Sequence, residues 1–357
     1  MKSKKRYLSL SILLLIVNTF LVPLSHQEGD KSEARKRWEK ALESNPISVT
    51  SKKLLFKFSY PADPSEENEI YIVQGSNLCA DIKKDIYVSD SRDHAILKFD
   101  IKGNFIKRLG RKGQGPGELI NPLDIFCNEG LYIFVLDDGN RRINKYDTEG
   151  KIQSSFKYFK SYNSFGIRKS DKIYASYFSI NPEDPLIDVL DLKGNVIKSF
   201  GKRIKFNKFN KAKNEVLLSL NDNGDIYVVW KNLDHVRKYS KEGELLIDLN
   251  INYKPINEIA KKNLNMEKNK QGNLEMYNLI MGMRTKKNGF YLFRSYPRIE
   301  ILEFNDNGEI EDIFWHETEF SYIPGDFLVI RKNNSIDFHI LQQYPESEID
   351  VFGIKKN

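Results

Sequence analysis

Three glycines, Gly113, Gly115 and Gly117, alternate in RLGRKGQGPGEL, residues 108–119, behind an apolar and basic run. Such spacing lets successive backbone N–H groups converge on an anion, which is the chemistry of a phosphate cradle. A cradle of that kind also needs a helix whose N-terminus points at the phosphate. The next residues, INPLDI, read as a strand. The glycines are therefore expected to turn the chain between two strands, leaving Arg111 and Lys112 on the surface for an anionic ligand.

Other residues with chemical capacity are scattered. Asp90 and Asp137 stand at equivalent places in two similar segments and offer a carboxylate pair, although ordering a turn is the preferred role. His94, His235 and His316 fall near loops and His339 lies inside a strand; no HxxxH or paired Cys/His spacing supports a metal site. His94 is nevertheless kept as a ligand-contact candidate. No GxSxG elbow is present, and no catalytic residue is assigned. Arg92, Arg141, Arg203, Arg294 and Arg298 complete the contact set, because a guanidinium is a planar fork suited to carboxylate or phosphate.

The elements that must position these groups emerge from an internal repeat. SDSRDHAILKFDIKGNFIKRLG from Ser89 aligns without gaps to LDDGNRRINKYDTEGKIQSSFK from Leu136, at an offset of 47. Weaker copies follow from the aromatic or Leu that closes the third strand of each unit: Phe99, Tyr146, Leu190, Tyr239, Phe304 and Phe352. Behind five of these lies a tight turn, DIKG, DTEG, DLKG, SKEG or NDNG, in which Gly supplies positive φ. The sixth unit stops one strand short, and KKLLFKFSY from Lys52 stands ready at the other end to complete it. A period near 47 with alternating strands predicts an all-β, six-bladed β-propeller with four-stranded blades, the last closed by the N-terminal strand.

The first two units, through Asp137, Asn140, Arg142, Ile143 and Tyr146 in particular, are similar to the NHL-repeat family of six-bladed propellers. Blade 1 departs from the pattern with Asp93 and Ala95, and the later blades keep mainly the aromatic and the turn. The resemblance implies the fold across residues 52–357 and the motif across about 85–157. Members of such families include binders of protein, peptide or RNA as well as lyases and lactonase-like enzymes, so fold does not choose the function.

In a propeller the second-to-third turns and the links between blades share one rim. On it fall Arg92, Arg111, Lys112, Arg141, Arg294, Arg298 and the link GKRIKFNKFNKAKN from Gly201, whose lysines interleave with Phe206 and Phe209. An insertion at 251–278 adds more lysines and offers either a helical lid over the channel or surface ornament. Such a rim would steer an acidic ligand. Lysines placed only for solubility are the bland reading, and the acidic link ADPSEENE dilutes the field.

Of the 357 residues 40% are hydrophobic, enough for a core. Lys2, Lys4, Lys5 and Arg6 precede an apolar run to about Leu24, the pattern of an export signal at 1–25, cleaved or retained as an anchor. Its loss removes four positive charges and no negative one, lowering the formal charge from +7 to +3. Residues 26–50 read as a charged leader or short helix and 51–357 as the propeller. Cys79 and Cys127 are expected as buried free thiols, with a single disulfide as the other state. The function expected is an exported, periplasmic, secreted or cell-surface, non-enzymatic propeller that binds a protein, peptide or glycan on its loop rim. No cofactor is assigned, nucleic acid is disfavoured by export, and the membrane is met only through an uncleaved N-terminal segment. The alternative is a lactonase- or lyase-like enzyme with a channel metal such as calcium.

Overall fold

A computed structural model describes residues 49–61, 70–128, 132–167, 172–266, 276–295, 298–317, 323–332, 335–344 and 347–354. The export signal, nearly all of the charged leader, the acidic link at 62–69 and the middle of the insertion lie outside these residues. The chain begins with β1 (Thr50–Tyr60). Blade 1 follows as β2 (Gly75–Ala80), β3 (Ile86–Asp90), β4 (Ala95–Phe99) and β5 (Phe105–Leu109), and blade 2 as β6 (Pro122–Asn128), β7 (Tyr132–Asp137), β8 (Arg142–Asp147) and β9 (Ile152–Lys157). Blade 3 is β10 (Tyr162–Ile167), β11 (Ile173–Tyr177), β12 (Pro185–Leu190) and β13 (Val196–Lys202). Blade 4 is β14 (Val216–Leu220), β15 (Ile226–Trp230), β16 (His235–Tyr239) and β17 (Leu245–Asn250). Blade 5 is β18 (Gly282–Lys286), β19 (Gly289–Arg294), β20 (Ile299–Phe304) and β21 (Ile310–His316), and blade 6 is β22 (Ile323–Lys332), β23 (Ser335–Tyr344) and β24 (Glu348–Ile354).

β1 is the fourth strand of blade 6, as expected: Leu54–Tyr60 pairs antiparallel with β24. It also does something the repeat did not announce. Its first residues, Thr50–Lys53, pair in parallel with Asp312–Trp315 of β21, so blades 5 and 6 share one eight-stranded sheet. No other pair of blades is fused in this way among the described residues.

The core lies between blades, not within one. Each of six apolar clusters joins neighbours: Tyr87, Ile96 and Leu109 of blade 1 meet Ile125, Ile133 and Tyr146 of blade 2, and Tyr60 and Val351 of blade 6 meet Leu97 and Phe99 of blade 1. All six strand-closing residues read from the sequence are buried there. The DxxG-type turns fit the same seams. In each, the first side chain, Asp100, Asp147, Asp191, Ser240 or Asn305, accepts N–H bonds from the residues two and four later. Gly150, at φ +82°, stands so close to blade 1 that a Cβ would lie 2.3 Å from Leu109; a Cβ on Gly243, at φ +86°, would lie 2.7 Å from Phe200 of blade 3. Glycine is needed there twice, for the backbone angle and for the approach of the neighbouring blade.

The two cysteines form a disulfide, contrary to the expected free thiols. They lie 48 residues apart, one blade period, on the innermost strands β2 and β6. Near the axis adjacent blades are closest, which brings the two Cα atoms to 5.5 Å, within bridging range. The described part of the insertion forms α2 (Lys254–Leu264), while α1 (Asn210–Lys213) is a single turn in the preceding link. α2 buries Ile256 and Ala260 in the seam of blades 4 and 5, and Lys213 Nζ donates to the Leu264 carbonyl at 2.7 Å. It serves as a buttress, and none of its described residues lines the channel.

The closing strand ends on a buried pair. Tyr60 Oη lies 3.0 Å from Nδ1 of His339, whose ring is fully enclosed in β23 and whose Nε2 has no hydrogen-bond partner. Burial lowers the His339 pKa to about 4, outweighing the opposite pull of Asp337. Since the folded value lies below the unfolded one, its contribution is complete above about pH 6.5 and is lost as pH falls towards 4, to the extent of about 3 kcal/mol. Urea unfolding across this window should therefore show a loss of stability that His339→Gln reduces by about half or more, because glutamine keeps a partner for Tyr60 without titrating.

Candidate functional site

The rim of blade links is built by two buried aspartates. Asp90, closing β3, accepts N–H bonds from Val73 (2.6 Å), Gln74 (3.1 Å), Arg92 (3.2 Å) and Asp93 (2.9 Å). Asp137, closing β7, accepts from the Ile120 N–H (2.7 Å), Asn140 Nδ2 (2.8 Å), Arg142 Nε (2.9 Å) and Asn144 Nδ2 (3.2 Å). Each carboxylate ties the incoming link to the second-to-third turn of its own blade. Neither lines the channel, so their use is in ordering turns.

The glycine stretch is held by this framework. Arg142 donates to the carbonyls of Gln114 (3.0 Å), Gly115 (3.0 Å) and Glu118 (2.6 Å), and Asn140 to that of Gly113 (3.0 Å). An anion does occupy the loop, and it is the chain's own. Glu118 Oε2 accepts the Gly115 N–H at 2.8 Å and Oε1 accepts from Arg111 Nε at 3.0 Å, which together hold the Glu118 carboxyl below its ordinary value. A Cβ on Gly113 would lie 2.1 Å from that carboxylate. The link is a blade connector closed over an internal ligand.

The contact candidates divide into two groups. Arg92, Arg111, Lys112 and Arg141 are exposed on blades 1 and 2, with Arg111 turned towards Glu118 and Arg141 donating to the Phe159 carbonyl at 2.7 Å. His94 is half-buried, and its Nδ1 accepts the Asn121 N–H at 3.0 Å, fixing the link into blade 2. Arg203, Arg294 and Arg298 are instead buried, and the expectation of surface contact gives way. Arg203 donates to the carbonyls of Tyr177 (2.8 Å) and Pro185 (3.2 Å). Arg294 and Arg298 converge on the fully buried Glu300 at 3.2 and 3.1 Å, with Arg298 stacked over Trp315. Unpaired, either charge would be costly in that interior.

Beside the first group the rim presents apolar side chains that the sequence reading overlooked. Phe159 is 88% exposed and Ile180 79%, with Phe178 close to both segments because its N–H donates to the Ser161 carbonyl. Lys211 reaches over the Phe178 ring at 5.2 Å, and Lys160 lies over Tyr177 at 4.1 Å. Arg141, Phe159, Phe178, Ile180 and Lys211 thus form a cationic and aromatic sector spanning blades 2 to 4, while Lys160 is ion-paired with the buried Asp188 at 2.7 Å. A sequence signal existed, since Phe159 and Ile180 stand in short polar connectors where no core requires them.

Inside the ring, polar side chains of the inner strands stitch every seam. Asn77 donates to the Leu123 carbonyl (2.7 Å), Asp124 accepts the Phe165 N–H (3.3 Å), Ser164 the Leu218 N–H (3.1 Å), Ser219 the Thr285 N–H (3.1 Å) and Asp326 the Leu78 N–H (2.9 Å). Arg284 completes the circle by ion pairing with Asp326. These strands enclose a cavity of about 750 Å³, walled in part by the disulfide. Burial, reinforced by Asp326, pushes the Asp124 carboxyl up to about 7, although two backbone N–H bonds and Arg284 act the other way. Among the described residues no three His, Cys, Asp or Glu side chains group closely enough to hold a metal ion. No described helix is long and apolar enough to cross a membrane.

A family model described as a 6-bladed beta-propeller matches residues 65–301. No curated protein matches at a significant level. Solved structures do: a candidate exported protein from Bacteroides fragilis aligns at 12% identity and a TM-score of 0.56, covering 86% of this chain and all of that one. A protein from Bacteroides vulgatus aligns at 14% and 0.54, covering 85% of this chain and 97% of that one. Virginiamycin B lyase from Staphylococcus aureus aligns at 9% and 0.50, covering 80% and 96%. At these identities the likeness concerns the fold alone.

The framework makes a sharp prediction at Asp137. Its fully buried carboxylate serves four donors, one of them charged. Asp137→Ala should destabilise the chain by about 3–5 kcal/mol, as expected for removing one partner of a buried ion pair, and Asp137→Asn by less. Denaturant midpoints measure both.

Proposed function

We propose that this chain, which belongs to the six-bladed β-propeller family, is an exported, non-enzymatic binding protein whose rim over blades 1 to 4 takes an acidic segment of a protein or peptide. The observation that carries the reading is the pair of exposed apolar side chains, Phe159 and Ile180, on the same rim sector as Arg141 and Lys211. Large apolar groups held in water on short ordered connectors are unfavourable unless a partner covers them. The cations around them select the sign of that partner and speed its approach.

Blades 1 and 2, read as NHL-type from their motif, add the exposed Arg92, Arg111 and Lys112 to the same rim. Export is supported by the basic and apolar N-terminus and by a disulfide, which persists in oxidising compartments. The similarity to a candidate exported protein agrees with it.

Binding to arrays of acidic and neutral peptides and glycans, at low and high salt, tests the proposal. Acidic peptides should be retained at low salt and released at high salt, and Phe159→Ser combined with Ile180→Ser should weaken them by at least about tenfold. Equal retention of neutral peptides, a preference for glycans, or an unaffected double variant would each overturn it.

A further inference from the structure

We infer that the central channel is a second site, independent of the rim, that binds a small organic cation carrying an ammonium group against Asp124. The cavity of about 750 Å³ is of ligand size, and its wall combines polar groups with apolar residues of the inner strands. The argument rests on how charge is distributed around it. Asp326 and Asp124 both line the channel, but only Asp326 has a counter-ion. Arg284 pairs with Asp326 and also donates to the carbonyls of Leu78 (3.1 Å) and Met283 (2.9 Å), so its guanidinium is committed to the seam between blades 5, 6 and 1.

Asp124 has no ion pair among the described residues. It accepts the Ile125 N–H at 2.9 Å and, at a longer 3.3 Å, that of Phe165. A carboxylate has about four acceptor sites, so capacity remains on the channel side. An enclosed carboxylate without a counter-ion is unfavourable, and either a proton or a cationic ligand relieves it. Two carboxylates, one of them already paired with Arg284, supply too few ligands for a metal ion. An ammonium, by contrast, can be held by a single carboxylate.

Proton and ligand compete for the same oxygens. The charged groups on the channel wall are Asp326 from β22 and Arg284 from β18, with Asp81 and Asp222 in the hairpins after β2 and β14; β10 contributes Asn163 and Ser164 and no titrating group. With Asp124 titrating near 7, binding strengthens as pH rises through that value.

Nuclear magnetic resonance titration of the full chain with tyramine, spermidine and choline, at about pH 8 and about pH 5.5, tests the site. At least one of these should give saturable shifts of channel residues at the higher pH and bind at least about tenfold more weakly at the lower pH. Asp124→Asn, which removes the charge while keeping the shape of the side chain, should fold and lose at least about tenfold in affinity. Leu217→Trp, which fills the channel without touching Asp124, should abolish the shifts. Absence of saturable channel shifts with all three amines, unchanged affinity in Asp124→Asn, or equal binding of phenethyl alcohol, an uncharged analogue of tyramine, would overturn the assignment.

Discussion

A ring of wedges has no stable intermediate size, and everything in this molecule depends on the last wedge meeting the first. β1 makes that meeting. It supplies the missing strand of blade 6 through β24 and adds a parallel register with β21 of blade 5, so one strand fastens two blades. Its final residue, Tyr60, reaches into the next seam, where it packs on Phe99 and fills the space beside Gly103 of blade 1. Three blades are therefore sensitive to a single segment, two of them remote from it in sequence. The six seams provide the apolar burial, but they act together only once the ring is shut.

The fold was legible because its signals are local. An Asp, Asn or Ser bonding its own backbone two and four residues on, followed by Gly, has the same form wherever it occurs, and five copies set the period before any long-range contact is known. The disulfide was readable by the same logic: Cys79 and Cys127 are one period apart on inner strands, and that spacing matters more than general rarity of bridges. What could not be read was direction at strand ends. Arg294 closes β19, which is buried along its whole length, so alternation gives no indication of a wet side. Arg203 follows β13 and folds back onto the Tyr177 and Pro185 carbonyls, a choice set by the path of the neighbouring turn. In the candidate sites, Asp124 and Asp326 were hidden among apolar neighbours in PLDIFCN and IPGDFLVI, where only knowledge of the inner strand makes an acid conspicuous.

The distribution of polar groups separates architecture from capacity to bind. Asp90, Asp137, Glu300 and Asp326 are each surrounded by donors belonging to the chain, and the inner-strand Asn and Ser side chains link one blade to the next. The groups proposed to bind lie in two places: the cationic and aromatic sector of the rim, and one carboxylate in the channel. The faces are chemically opposite, positive outside and negative within, so the two sites favour ligands of opposite charge.

The connector between blades 1 and 2 carries a different kind of consequence. Its cradle is filled by Glu118, three residues from the Gly115 N–H that it accepts. A ligand tethered so closely is present at an effective concentration far above that of any free anion, of millimolar order or more for short tethers. The loop thus has its donor positions taken by the chain's own carboxylate. Its geometry is that of a receptor, while its thermodynamics is that of a covalent staple made without a covalent bond.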